Sequence, residues 1–137
     1  AGNAPAPATA PVRVVIVTLD NHLAGAAARA GERLAADGIS IDFHAASDWH
    51  GAPAKLEQAK ADVLAGDIVI ATMLFVDEHI AAIRPALEAR RETCDAMLAL
   101  MSAGDVVKLT RMGGYRMDAP AKGPLALLKR LRGSAKG

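Results

Sequence analysis

Four short stretches hold the residue types from which a site could be made. The first is Thr18-Leu19-Asp20-Asn21-His22, where a hydroxyl, a carboxylate, an amide and an imidazole follow a β-branched run. These groups could hydrogen-bond a ligand or a neighbouring domain. Helix capping by Asp20 or Asn21 would account for two of them without any ligand. The second is Thr72-Met73-Leu74-Phe75, a polar tip beside an apolar lip. Such a lip could touch a flat apolar molecule, or serve as core or as cover for an adjoining domain. The third is Ser102-Ala103-Gly104, which has the composition of a strand-to-helix turn. The fourth is Asp77-Glu78, whose carboxylates suit the first turn of a helix through the dipole alone.

Other chemistries lack their residues. The four histidines, at 22, 44, 50 and 79, show neither HxxxH nor HExxH spacing, so no metal site is expected. Cys94 has no CxxC partner and reads as a packed thiol. Met97, Met101, Met112 and Met117 read as packing material. GxGxxG and GxxxxGK[ST] are both absent, and the turn LDNHLAG is a poor flavin-phosphate loop. A phosphorelay receiver would need an acidic pair after the first strand and an acceptor Asp after the third; Asp20 and Thr72-Met73 stand there instead. No nucleophile is paired with a base, so no catalytic residue is assigned.

The elements that must position these residues follow from periodicity. Val12 to Leu19 reads as a buried parallel strand. Asn21 is expected to cap a helix over 22–37, ended by Gly38. Ile39 to Ala45 alternates apolar and polar residues, as at a sheet edge. Pro53 opens a second helix to about Ala65. Asp67 to Met73 reads as a central strand, and a third helix starts near Asp77, with Pro85 expected to kink or split it. Residues 95–101 are apolar enough for either helix or strand; their brevity and the following Ser-Ala-Gly favour strand. A fourth helix is expected over 105–112.

This βαβαβαβα order predicts a flavodoxin-like three-layer α/β domain. Its sheet would have four parallel strands in the order 2-1-3-4, with a ligand crevice at the switch point between strands 1 and 3. The expected organisation is an Ala/Pro leader over 1–11, the α/β domain over 12–112 and a basic C-terminal extension over 113–137.

The 137 residues fit one domain. The chain is 52% hydrophobic but only 3% aromatic, so Ala, Leu, Ile and Val must make the core. Charge is uneven. Residues 1–110 carry nine Lys/Arg against fourteen Asp/Glu, whereas 111–137 carry seven against Asp118 alone. Such a tail suits docking on an acidic partner or an anionic surface. Its bases have only Tyr115 for aromatic company, which argues against single-strand nucleic-acid stacking. Within the tail, Pro124 precedes LALLKRLR, an amphipathic segment with Leu125, Leu128 and Leu131 at helical spacing. A helix that short needs a partner surface. The lone cysteine, the lack of a signal pattern and the absence of a 20-residue apolar run point to a cytoplasmic protein without a transmembrane segment.

Taken together, VVIVTLDNHLAGA, GDIVIATMLF, CDAMLALMSAGDVVKLTRMG and APAKGPLALLKRLRG resemble the N-terminal domain of the large, porphyrin-binding subunit of magnesium chelatase. The bacteriochlorophyll-pathway form is the nearer one, and the likeness runs from about Val12 to Gly133. The related cobaltochelatase large subunit shares the general design. The resemblance implies part of an enzyme that inserts Mg²⁺ into protoporphyrin IX, with ATP hydrolysed by separate AAA+ subunits. Family residues tied to insertion lie beyond this segment, so none carries over. The domain would hold no cofactor of its own and be architectural or porphyrin-handling. Its partners would be the rest of the large subunit, the ATPase subunits and, as a candidate ligand, protoporphyrin IX. Thr18, Asp20, Asn21, His22, Thr72, Met73, Phe75 and Ser102 are the candidates for contact with ligand or neighbouring domain. A stand-alone interaction or regulatory module with a basic docking tail is the alternative.

Overall fold

The computed structural model describes residues 11–117. The expectations for the Ala/Pro leader (save Pro11) and for a helix at Leu125–Leu131 lie outside them. β1 (Val12–Thr18) leads through α1 (Ala24–Leu34) and a 3-10 turn (Ala35–Asp37) to β2 (Ile39–Ala45). α2 (Pro53–Ala65), β3 (Ile68–Thr72), α3 (Asp77–Arg91) and β4 (Ala96–Leu100) follow. The described chain closes with α4 (Gly104–Val107), β5 (Arg111–Met112) and β6 (Tyr115–Arg116).

The sheet has six strands in the order β2-β1-β3-β4-β5-β6. The first four are parallel, and the last two form an antiparallel hairpin beside β4. The expected four-stranded parallel sheet is therefore corrected to a mixed sheet of six. The Gly113-Gly114 pair, which alone could as well break the chain, turns it into this hairpin, with Gly113 at φ +55° in the left-handed region that favours glycine. The fourth helix shrinks to four residues because the chain after it is captured by the free edge of β4. The Thr110 hydroxyl accepts from the Ala99 N–H at 3.0 Å and donates to the Ala99 carbonyl at 3.1 Å. It thus continues the ladder beyond the backbone pairs of β4 and β5. Arg111 holds the hairpin from below, donating to the carbonyls of Arg91 (2.9 Å) and Cys94. Arg116 pairs with Glu92 at 2.9 Å. Two of the seven basic residues after position 110 are thus engaged inside the fold.

Alternation along the strands separates two sheet faces. Val15, Val17, Val69, Ala71, Met97 and Ala99 point into a core shared with Ala59 and Val63 of α2 and Ile83 and Leu87 of α3. α1 lies on the other face, over β2: a Cβ on Gly31 would stand 3.9 Å from the Cβ of Ile41. Pro85 does not split α3, which is one helix of 15 residues. Both Pro85 and Ala81, whose carbonyl loses its usual donor, are exposed, so water can satisfy that carbonyl. The segment 96–100 is a strand because it pairs along its whole length with β3.

Gly66 joins α2 to β3 under tight constraint. A Cβ there would stand 2.9 Å from Val15 Cγ2 and 3.1 Å from Val69 Cγ2. Both valines are fully buried and stiff at χ1, so neither can swing away. Gly66→Ala is expected to cost about 1–3 kcal/mol in urea unfolding through overpacking.

Candidate functional site

The carboxyl ends of the parallel strands gather most of the sequence candidates along one rim. Val17 lies opposite Ala71, so Thr18 and Thr72 end neighbouring strands. Thr18 is buried and Thr72 half-buried. Asp20, Asn21 and His22 form the turn into α1. Asp20 Oδ1 accepts the His22 backbone N–H at 3.1 Å and meets His22 Nδ1 at 2.7 Å. The backbone hydrogen bond from His22, then its ring, hold the Asp20 carboxyl below the usual carboxylate range. Asn21 does not cap α1 through its side chain, as the sequence suggested; its carbonyl accepts from the Ala24 N–H at 3.1 Å. The polar tip is thus largely satisfied by itself.

The apolar lip behaves differently. Leu74 is fully buried, but Met73, Phe75 and Val76 are exposed, Phe75 by 56%. Across from them, Leu100 and Met101 at the end of β4 are exposed by 51% and 74%. The reading of Met101, Met112 and Met117 as packing material is corrected accordingly: of the four methionines in that group, only Met97 is buried. Two of the lip residues sit in the left-handed region, Met73 at φ +58° and Met101 at φ +44°. For a residue with a Cβ this costs on the order of 1–3 kcal/mol and persists only where the surroundings enforce it.

Those surroundings are visible. The Met73 N–H donates to the Met101 carbonyl at 2.9 Å. The Leu74 N–H donates to Ser102 Oγ at 3.0 Å, and the Ser102 hydroxyl donates to the Leu100 carbonyl at 2.9 Å. The Ala103 N–H donates to the Leu74 carbonyl at 2.9 Å. Ser102 therefore staples the exits of β3 and β4 together. The staple turns two methionines outward while Leu74 anchors the turn in the core. Such a rim offers rigid apolar contact area with little acid–base equipment.

Sequence reasoning missed a second constellation, beneath α2. Asp62 is buried and meets Arg13 at 2.5 Å, His44 Nε2 at 2.7 Å and Gln58 at 2.8 Å. Arg13 also donates to Asp42 at 2.6 Å. Burial opposes the charge on Asp62, but the hydrogen bonds from Gln58 and His44 and the His44 and Arg13 charges outweigh it. The net result is a carboxyl pKa below the ordinary value. The polar alternation read as a sheet edge does mark the edge strand β2, and it brings His44 onto this buried carboxylate and Asp42 onto Arg13. The available signal was a charge within each of β1, β2 and α2, at Arg13, Asp42 and Asp62.

Among the described residues, no three His, Cys, Asp or Glu side chains converge as a metal site. No described helix is long and apolar enough to cross a membrane. A shallow groove between α3 and α4, lined by Arg84, Glu88 and Asp105 among others, lies away from the rim. Arg84 there pairs with Glu88 at 2.6 Å and with Asp105 at 3.3 Å.

Fold and rim together define an α/β domain with an exposed apolar lip at its strand ends. The family described as "Domain of unknown function (DUF3479)" matches residues 13–137, and the chain belongs to it. The chain is 50% identical over 124 residues to the magnesium-chelatase H subunit of Rhodobacter capsulatus and 47% identical over 125 residues to that of Cereibacter sphaeroides. These alignments cover 89% and 90% of this chain but 10% of each relative. The chain thus spans about a tenth of the length of these relatives. Both matches agree with the resemblance read from the sequence.

Proposed function

We propose that this flavodoxin-like domain is an architectural part of the porphyrin-binding subunit of a cytoplasmic magnesium chelatase. The whole enzyme would insert Mg²⁺ into protoporphyrin IX, with AAA+ partner subunits hydrolysing ATP, in (bacterio)chlorophyll synthesis. The identity of 50% to a magnesium-chelatase H subunit, extending over most of the chain, carries this proposal. It also favours a chelatase role over a stand-alone regulatory module with a docking tail. Within the large subunit, the lip of Met73, Phe75, Leu100 and Met101 is the surface turned to another body. Its rigid outward methionines and exposed ring fit an apolar contact with the rest of the same subunit. The strain at Met73 and Met101 supports that assignment, because it keeps apolar side chains in water that a relaxed turn could withdraw.

The test uses the full subunit with its ATPase partners. Phe75→Asp is expected to lower magnesium insertion about tenfold or more, as for an aromatic anchor of an interface. The melting temperature of the 137-residue chain should be unchanged, since the ring is already exposed. Unaltered insertion by the variant would rule the lip out as a required contact. A soluble porphyrin titrated into the 137-residue chain should leave Trp49 fluorescence without saturable quenching. Saturable quenching weakened by Phe75→Ala would make the porphyrin itself the lip's occupant.

A further inference from the structure

The lip is apolar, but the rim around it carries charge of one sign. Each of the four parallel strands leads into at least one carboxylate: Asp20 after β1, Asp48 after β2, Asp77 and Glu78 after β3, and Asp105 after β4. Residues 19–23, 46–52, 73–78 and 101–105 contain these five carboxylates and no Lys or Arg. Lys55 is the one cation in the first turns of the helices that follow these strands. Parallel strands alternating with helices put all four exits at one end of the sheet, where Phe75 and Met101 stand in water. Asp20 meets His22, and Asp105 meets Arg84. Asp48, Asp77 and Glu78 are exposed, and among the described residues no cation pairs with them. The dipole of α3 accounts for the two carboxylates at its own start. It does not account for Asp20 or Asp48, which lie outside the α-helices.

We propose that the lip's occupant is a protein surface of the same large subunit, apolar at its centre and edged by Lys and Arg. This rests on the reading of the lip as a contact with the rest of that subunit. The alignments cover 10% of each relative, so a subunit of that length offers ample surface beyond this chain. Charge complementarity selects the occupant. Charges that ring an apolar contact act over a Debye length of about 8 Å at physiological salt, and they fix orientation and exclude wrong partners. A second copy docked face to face would set these carboxylates against their own equivalents. Protoporphyrin IX, itself a dicarboxylate, would meet like charge at the same ring. An anionic lipid surface would be repelled in the same way. A basic-edged protein surface buries the lip and neutralises Asp48, Asp77 and Glu78 together.

The measurement is oxidation of Met73 and Met101 by dilute peroxide in the full subunit, read by mass spectrometry. Both are expected to oxidise far more slowly than the same methionines in short peptides. Raising salt from about 0.1 to 1 M shortens the Debye length from about 10 to 3 Å and should speed both reactions. Asp77→Lys with Glu78→Lys should speed them about tenfold, as like charges facing each other across a contact do. Asp77→Asn with Glu78→Gln, which is milder on the start of α3, should remove most of the salt effect. Glu32→Lys, an equal charge change on the exposed side of α1, should alter nothing. Oxidation at the peptide rate in the unsubstituted subunit would show the lip uncovered and overturn the underlying reading along with this one. Slow oxidation that ignores either salt or the Asp77→Lys, Glu78→Lys pair would leave the lip covered and overturn the basic partner alone. Protection found only at high protein concentration, only with added protoporphyrin, or in full in the 137-residue chain would assign a different occupant and overturn it as well.

Discussion

Replacing Asp62 with alanine is expected to lower unfolding free energy by about 3 kcal/mol, a large share of the roughly 5–15 kcal/mol typical of such a domain. The Asp62 side chain is only 7% exposed, and it gathers Arg13, His44 and Gln58 from two strands and its own helix. Removing it strands their donors beneath α2. Breaking a buried ion pair typically costs about 3–5 kcal/mol. The low end applies because Arg13 keeps 35% of its side-chain surface in water and retains Asp42. Urea unfolding should show a lower midpoint with an unchanged slope. Acid supplies the second signature. The carboxyl of Asp62 is held below its ordinary value in the folded chain, so its contribution is full above the unfolded pKa of about 3.9. It fades as pH falls through the lower folded value. The stability gap between native chain and variant should therefore be widest near neutrality and narrow below about pH 4. A gap that stays constant to about pH 2 would show that lost packing, and not the carboxylate's charge, causes the effect.

Leu74→Ala should cost about 2–5 kcal/mol, the range for truncating a large aliphatic side chain in a filled core. Leu74 is fully buried between exposed Met73 and Phe75, and its N–H and carbonyl both belong to the staple around Ser102. The cavity would remove the anchor that enforces positive φ at Met73. Besides a lower urea midpoint, faster amide exchange is expected at Met73, Leu74 and Ala103, whose N–H groups close the staple. Exchange there that matches the native chain, despite the lost stability, would show that the rim is held by its hydrogen bonds alone.

The two residues also show where sequence reading succeeds and where it stops. The first and third strands were legible as β-branched apolar runs, whereas the fourth was apolar enough for helix or strand and only its brevity and the Ser-Ala-Gly after it favoured strand. Pro53 and Gly38 marked a helix start and a left-handed cap because each restricts backbone torsions by itself; Gly38 indeed sits at φ 77°. Local chemistry was enough in these cases. It misled at Gly113-Gly114, where the same residues permit a chain break or a hairpin. The free edge of β4 and the Thr110 hydroxyl selected the hairpin. At β2 alternation rightly marked a sheet edge, but polar alternation looks alike whether it faces water or a buried carboxylate, so the partners of Asp42 and His44 were not legible.

The candidate rim divides in the same way. That Thr18 and Thr72 would end adjacent strands followed from the alternation of strands and helices and the handedness of crossovers. That Leu100 and Met101 would join Met73 and Phe75 in water did not follow. Apolar residues at strand ends are ordinarily covered, and only the hydrogen bonds between the two exits turn these outward. The helix–strand order as far as β4, an Ala-rich core with few aromatics and the likeness to a chelatase large subunit could all be read from the residues alone. All of these are properties of composition, period and local motif. Tertiary structure decided the six-stranded sheet, the buried charge cluster under α2 and the strained lip at the strand ends. Each depends on contacts between residues distant in the chain, whose geometry is set only when the sheet is assembled.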